Sequence, residues 1–217
     1  MKKDLTELVF ILDKSGSMGG LEGDTIGGFN AMLEKQKGLD GECRITTVLF
    51  DHEYCLLHDR IDIQAVRPVT EKEYQVGGMT ALLDAVGKTI DKIGNAQKNT
   101  AEDHRAQKVM VVIITDGMEN ASRCYTPEKV KAMIQRQKAG YGWEFIFLGA
   151  NIDAVEAAGD MGIGADRSQN YHADSAGVKL NFHVMGEAMR SYRTDSQLPA
   201  DWQEKIERDY RHRGTKR

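Results

Sequence analysis

Four short apolar segments stand out along the chain, each rich in β-branched or aromatic residues and each followed by a polar residue or a glycine. Apolar character without alternation indicates burial on both faces, which is typical of a central strand in a parallel sheet. We therefore predict four buried strands, at Leu8–Leu12, Ile45–Phe50, Val109–Ile114 and Phe145–Leu148.

Between these segments, apolar residues recur at intervals of three and four, which places their side chains on one face of a helix. Thr126 and Pro127 also mark a helix start, because threonine caps a helix and proline fits its first position. The predicted helices carry the apolar stripes Ile26, Phe29 and Leu33; Leu82, Val86, Ile90 and Ile93; Val130, Met133 and Ile134; and Val178, Phe182, Met185, Met189 and Tyr192.

Alternating strands and helices predict an α/β fold: a Rossmann-like, doubly wound, mostly parallel sheet with helices on both faces. One strand pair departs from this rule. The segment Glu53–His58 follows Ile45–Phe50 too closely for a crossover helix, so the two segments are predicted to form a hairpin with one antiparallel edge strand. Ser168–Ala173 is a candidate for a final edge strand.

Two polar segments lie outside this pattern. The stretch 95–107 is predicted to be a mobile loop or a frayed helix end. At the other end of the chain, residues 203–217 hold six Lys and Arg against three Asp and Glu. Trp202, Ile206 and Tyr210 are spaced four apart, which predicts a docked helix followed by a basic tail.

Composition limits the function classes. The 217 residues carry a net charge of -4, which argues against nonspecific nucleic-acid binding as the main role. No apolar run approaches the length of a membrane span. Cys43, Cys55 and Cys124 are odd in number and widely spaced, so we predict reduced thiols and a cytoplasmic protein.

Three polar clusters fall where predicted strands end or a helix begins. The first strand runs into 13–20, with the sequence Asp-Lys-Ser-Gly-Ser-Met-Gly-Gly, and the third runs into Thr-Asp-Gly at 115–117. Gly-Gly-Met-Thr at 77–80 precedes the helix that begins near Ala81. Because ligands of open α/β sheets bind beyond the carboxyl ends of the strands, we expect these loops to meet at one edge.

The donors in these loops are all oxygen atoms, which suits a hard divalent cation, Mg²⁺ first and then Mn²⁺ or Ca²⁺. Ser15 and Ser17 are separated by one glycine, so a tight turn can direct both hydroxyls at a single ion. The predicted metal ligands are Asp13, Ser15, Ser17, Thr80 and Asp116.

This set resembles the metal ion-dependent adhesion site (MIDAS) of von Willebrand factor type A (VWA) domains. All five motif positions are present in order: Asp-x-Ser-x-Ser at 13–17, a threonine after Gly-Gly-x at position 80, and Thr-Asp-Gly at 115–117. The resemblance is to an intracellular, bacterial-type VWA protein. It covers residues 4–193 and leaves 194–217 as a C-terminal extension, predicted to be a helix with a basic tail.

The resemblance implies a role for each matched residue. Ser15, Ser17 and Thr80 would approach the ion directly, while Asp13 and Asp116 would act largely through water, or Asp116 directly in a closed state. Neutral hydroxyls leave the charge of the ion poorly quenched, so an anionic ligand is favoured at an open position. We therefore expect a protein partner that supplies an Asp or Glu carboxylate.

Other interpretations stay open at this point. The serines could cap the turn that follows them, and Asp116-Gly117 could be an ordinary turn at a strand end. Glu119 and Asn120 could tune the site from behind the ligands, but they are expected to be simple surface residues, as are the six histidines. Met18 and Met79 could form an apolar rim for a partner. As an alternative function, the chain could be an adaptor subunit of an ATPase or chaperone-type complex, because some members of the family act beside ATPases.

An enzyme is the third function class. A metal-dependent phosphoester hydrolase that forms an aspartyl-phosphate would need a second acid two residues after Asp13, and Ser15 stands there. A hydroxyl is a poor general acid near pH 7. The sequence also lacks a P-loop, a dinucleotide-binding glycine loop and a G-x-S-x-G nucleophile motif. We therefore expect a binding module and not an enzyme.

Overall fold

The computed structural model describes residues 1–214, apart from the side chain of Lys3. Six strands form one sheet in the order β3-β2-β1-β4-β5-β6. The strands are β1 (Lys2–Asp13), β2 (Glu42–Phe50), β3 (Tyr54–Asp62), β4 (Ala106–Thr115), β5 (Glu144–Gly149) and β6 (Ser168–Asn170). The helices are α1 (Glu22–Lys37), α2 (Leu82–Asn99), α3 (Pro127–Tyr141), α4 (Ala154–Asp160), α5 (Ser175–Asp195) and α6 (Glu204–Gly214).

The sheet confirms the predicted fold class. β1 pairs in parallel with β2 and β4, β5 pairs in parallel with β4 and β6, and β3 pairs antiparallel with β2 at the edge. The final edge strand is also present, although β6 is shorter than the predicted segment 168–173. The chain therefore alternates strand and helix as expected, with one hairpin at its edge.

The helices cover the two faces of the sheet and create two apolar cores. Phe29 of α1, Phe182 of α5 and Ile206 of α6 pack on one face, and Ile90 of α2, Ile134 of α3 and Ala158 of α4 pack on the other. Both faces of the central strands are consequently buried, which explains why those strands lack hydrophobic alternation. Across residues 1–214, each helix is too short or too polar to cross a membrane.

β1 is longer than its apolar segment predicts, because polar residues continue it towards the N-terminus. Glu7 lies inside this strand with none of its surface exposed. Its carboxylate accepts hydrogen bonds from Arg60 Nε of β3, at 2.7 Å, and from the Gln97 amide of α2. A buried charge is tolerated when it is paired and hydrogen-bonded in this way.

The polar stretch 95–107, predicted to be a mobile loop or a frayed helix end, has regular structure instead. α2 continues to Asn99, a short 3₁₀ turn follows at Glu102–His104, and β4 begins at Ala106. Arg105 Nε donates to Thr100 O at 2.6 Å, and the Ala106 amide donates to Gln97 Oε1 at 3.2 Å. Polar contacts hold this connection. Because such contacts leave no periodic hydrophobic pattern in the sequence, the regular structure was not predicted.

The C-terminal segment contains the predicted helix and docks beside β6. Trp202 and Ile206 are buried in the same core as α1 and α5, and Trp202 Nε1 donates to Asp166 O at 3.0 Å. Tyr210 stacks on His172 with ring centroids 4.7 Å apart. The division into a domain of 4–193 and an extension of 194–217 stays a prediction, and residues 215–217 of the basic tail lie outside the described residues.

Candidate metal centre

The carboxyl edge of the sheet brings the predicted site residues together. β1 ends at Asp13 and β4 ends at Thr115, and the two strands are parallel neighbours, with Leu12 opposite Ile114. The loops that follow them therefore emerge side by side. The loop before α2, which carries Thr80, reaches the same edge, where the Gly16 amide donates to Gly78 O at 3.1 Å.

Asp13 organises the first loop from a buried position. Its Oδ1 accepts from the Ser15 amide at 2.7 Å, and its Oδ2 accepts from Thr115 Oγ1 at 2.5 Å. Burial raises the pKa of this carboxyl, although the hydrogen bonds from Thr115 and Ser15 oppose that shift. Both carboxylate oxygens thus have protein partners, and Asp13 joins the ends of β1 and β4.

Three hydroxyl groups converge above this junction. Ser15 Oγ and Ser17 Oγ lie 3.1 Å apart. A Cβ atom on Gly117 would lie 3.0 Å from Ser17 Oγ, 3.2 Å from Thr80 Oγ1 and 3.9 Å from Ser15 Oγ. The three hydroxyls predicted as direct ligands therefore surround one small space that only glycine leaves open.

Asp116 lies directly after β4, and one of its carboxylate oxygens accepts no hydrogen bond from the described residues. Its Oδ1 accepts from Ser17 Oγ at 2.5 Å, whereas Oδ2 is buried and has no hydrogen-bond partner among the described residues. Burial raises the pKa of Asp116 to about 6, and the negative charge of Asp13 adds to that shift. A buried carboxylate oxygen without a partner is costly, so it indicates that something else, such as a cation, satisfies this group.

The loop before α2 has a conformation that requires glycine. Gly78 has a φ of +76°, and a Cβ atom there would lie 2.2 Å from His52 Nδ1. The neighbouring Gly77 amide donates to Lys14 O at 2.9 Å. This close approach of backbones holds Thr80 beside the first loop.

Glu119 and Asn120 were expected at the surface, where Asn120 is exposed and Glu119 is half-buried, and they also join the loop after β4 to the loop before α2. Asn120 Oδ1 accepts from the Thr80 amide at 2.9 Å, and the Asn120 amide donates to Thr80 O at 3.0 Å. The Glu119 carboxylate accepts from the backbone amides of Leu83 and Ser122, at 2.8 Å and 2.7 Å. Their position directly after Thr-Asp-Gly was the only sequence signal of this role.

Two buried tyrosines behind the site were not identified from the sequence. The Tyr74 hydroxyl donates to the main-chain carbonyl of Asp13. The Tyr171 hydroxyl is buried and has no hydrogen-bond partner within residues 1–214, and both Asp116 and Asp13 raise its pKa in addition to the larger effect of burial. Both tyrosines lie in loops without a recognisable motif, so sequence spacing offered no signal for them.

The structure agrees with some of the remaining expectations from the sequence and differs from others. Met18 is buried, whereas Met79 is exposed, so of these two methionines only Met79 can belong to an apolar rim. His58, expected at the surface, is buried against Thr47, with Nδ1 and Oγ1 3.0 Å apart. The cysteines Cys43, Cys55 and Cys124 are all free thiols.

The donor set favours hard cations over soft ones. Within residues 1–214, no group of three or more His, Cys, Asp and Glu side chains is arranged to hold a metal ion. The candidate centre consists instead of three hydroxyls and two carboxylates. Mg²⁺, Mn²⁺ and Ca²⁺ prefer such oxygen donors, whereas imidazole and thiolate ligands suit softer metals.

At the level of sequence, no protein-family model and no curated protein matches this chain. Solved structures do match it. A von Willebrand factor type A protein from Catenulispora acidiphila superimposes with a TM-score of 0.56 and 15% identity, over 86% of this chain and 42% of that one. Manganese-loaded TRAP protein from Plasmodium vivax gives a TM-score of 0.58 and 20% identity, over 83% and 72%.

A third match is proximal thread matrix protein 1 from the mussel byssus, described with a zinc-occupied MIDAS motif. Its TM-score is 0.56 at 15% identity, over 85% of this chain and 46% of that one. The chain thus spans less than half of the bacterial and mussel proteins. At these identities the likeness concerns the fold: this protein has the Rossmann-like fold of VWA domains.

Proposed function

We propose that this chain is a protein-binding module that uses a divalent cation, held by a complete MIDAS, to capture an acidic partner. Asp13, Ser15, Ser17, Thr80 and Asp116 would hold the ion, with Mg²⁺ the first candidate and Mn²⁺ or Ca²⁺ as substitutes. The observation that carries this proposal is the convergence of three hydroxyls around Gly117 beside the unpartnered Asp116 Oδ2. Without a cation, that buried oxygen has no compensation from the described residues.

The arrangement separates positioning from coordination. Asp13 Oδ1 and Oδ2 are engaged by Ser15 and Thr115, so Asp13 orients the loop and would contact the ion through water. The hydroxyls of Ser15, Ser17 and Thr80 converge on the space beside Gly117 instead, where they would coordinate the ion. Groups that orient ligands in the way Asp13 does normally contribute strongly to metal affinity.

A partner carboxylate would complete the coordination. Mg²⁺ prefers six oxygen ligands and retains water where the protein supplies too few. Three neutral hydroxyls from the protein leave open positions, and an anionic oxygen is the strongest ligand available for one of them. The Mn and Zn forms of two structural neighbours support a divalent cation at this edge of the fold.

The structure offers little support for a phosphoester hydrolase. An aspartyl-phosphate mechanism requires a carboxylate oxygen free to attack phosphorus. Asp13 is 1% exposed, and hydrogen bonds occupy both of its oxygens. Ser15 Oγ lies 3.1 Å from Ser17 Oγ. We therefore propose a non-enzymatic role, and the three unpaired thiols support a reducing, cytoplasmic location.

Calorimetric titration of the folded protein with Mg²⁺ and with Mn²⁺ tests this proposal. We expect one ion to bind, reversibly on addition of EDTA. Asp13→Ala should abolish binding while circular dichroism shows that the fold persists, and Ser17→Ala should weaken it. The exposed Asp103, 79% of whose side chain is accessible, provides the matched control Asp103→Ala. Folded wild-type protein that binds neither ion would refute the metal site.

Thr80→Ala tests the role of the partner. The substitution removes one neutral donor from the ion and also disturbs the loop that borders the open position. It should therefore weaken partner binding more than Mg²⁺ binding. A metal-bridged contact should also persist in moderate salt and disappear in EDTA, because the coordination bond is short and poorly screened. Partner binding that is unchanged in EDTA and in Thr80→Ala would contradict this role.

A further inference from the structure

Two exposed methionines stand beside the candidate ligands. Met79 is 51% exposed and precedes Thr80, and Met118 is 73% exposed and follows Gly117. Large apolar side chains of residues 1–214 are exposed at only four other positions, Met1, Tyr141, Val155 and Tyr210. Two of these exposed side chains therefore lie within two residues of a predicted metal ligand.

The loops that carry the two methionines are fixed to each other. The reciprocal hydrogen bonds between Thr80 and Asn120, at 2.9 Å and 3.0 Å, join the segment of Met79 to that of Met118. Glu119 further anchors the second segment to the start of α2. The backbone positions of the methionines are thus held while their side chains remain uncovered.

Charge near the site does not favour an acid-rich partner. The loops at this edge comprise residues 13–20, 51–53, 77–80 and 116–126, and their basic side chains are Lys14, His52 and the exposed Arg123. Lys14 and His52 both face Asp51: Lys14 forms an ion pair with it, and His52 Nδ1 lies 3.4 Å from its Oδ1. A run of acidic residues would therefore meet a single exposed arginine in these loops, Arg123, whereas apolar side chains would meet Met79 and Met118.

We propose that the partner segment presents one acidic residue flanked by apolar side chains, which cover Met79 and Met118 while the acid reaches the ion. This inference rests on the proposed function. Covering two exposed apolar groups contributes hydrophobic binding energy, and the flexible thioethers adapt to the shape of the covering residues. The same contact excludes water around the carboxylate, which strengthens its interaction with the ion.

Selection from a displayed library of random peptides with an invariant central Asp tests this inference. The library would be bound to the full chain in Mg²⁺ and eluted with EDTA. We expect Leu, Ile, Met or Phe to be enriched beside the Asp. The double variant Met79→Ser, Met118→Ser should bind the selected peptide about tenfold more weakly, with unchanged Mg²⁺ affinity. Tyr141→Ser, at the exposed end of α3, is the matched control.

The outcomes separate the two proposals. Peptides that elute with EDTA but show no apolar preference, or that bind the double serine variant normally, would overturn the methionine contact and leave the metal-bridged function intact. If Mg²⁺ binds but EDTA elutes no peptide, the acidic-partner function fails and the inference fails with it. If Tyr141→Ser weakens peptide binding as much as the double variant does, the loss reflects a general increase in surface polarity, and the methionine contact is overturned.

Discussion

Gly117 offers a direct test of the site geometry, because any side chain at this position would enter the space that the hydroxyls of Ser15, Ser17 and Thr80 surround. In Gly117→Ala, the new methyl would lie 3.0 Å from Ser17 Oγ and 3.2 Å from Thr80 Oγ1. Ordinary contact begins at 3.4 Å, so Ser17 Oγ must withdraw by 0.4 Å (3.4 less 3.0) and Thr80 Oγ1 by 0.2 Å (3.4 less 3.2).

These displacements are large for a metal site and small for the fold. Metal–ligand distances tolerate about 0.2 Å, so the shift of Ser17 Oγ exceeds what the ion can accept. We expect Mg²⁺ affinity to fall at least tenfold, or about 1.4 kcal/mol. Gly117 does not have a positive φ, so alanine fits its backbone, and stability should change by no more than about 1 kcal/mol.

Titration calorimetry with Mg²⁺ measures the first effect, and thermal unfolding in EDTA measures the second. Gly140 of α3 provides the matched control, since the Cβ that alanine would add there meets no atom of residues 1–214 within 4 Å beyond its own helix backbone. Gly140→Ala should bind Mg²⁺ as the wild type does. Wild-type Mg²⁺ affinity in Gly117→Ala would show that the three hydroxyls are not the ligands and would refute the site as described.

Two further predictions concern groups around the ion. Because the folded-state pKa of Asp116 is raised to about 6, the ion-free folded chain retains a proton at Asp116 that the unfolded chain releases, so this residue contributes stability in EDTA that increases as pH falls from about 7 to about 5. Mg²⁺ affinity should fall over the same range because the proton competes with the ion. Asp116→Asn should remove the contribution of this residue, so the melting temperature of the variant in EDTA should rise less, or fall more, than that of the wild type as pH falls; equal slopes in both proteins would contradict the assignment. Tyr74→Phe deprives the buried Asp13 carbonyl of a donor and should cost about 1–2 kcal/mol, a fall of about 2–8 °C in melting temperature, whereas unchanged melting would show that water replaces the hydroxyl.

Local residue patterns were enough to predict the fold and the five candidate ligands. Continuous apolar segments identify buried strands because both faces of a central strand lie under helices, as Phe10 and Ile11 show on opposite faces of β1. The short gap before β3 leaves no room for a crossover, so the antiparallel edge also follows from the sequence. The meeting of the loops that carry these candidates was predictable because strand ends in such a sheet lie at one edge, whereas their role as metal ligands stays a prediction.

The tertiary structure alone decided which polar residues support that site. Asn120 contacts Thr80 from a position 40 residues away, and Tyr74 reaches Asp13 across 61 residues. Glu7 is buried although it is charged, because Arg60, 53 residues later, neutralises it. A hydrophobic pattern reports only whether a residue's own side chain avoids water. Whether a polar side chain is buried depends on a partner that distant chain segments supply, and folding alone brings that partner into contact.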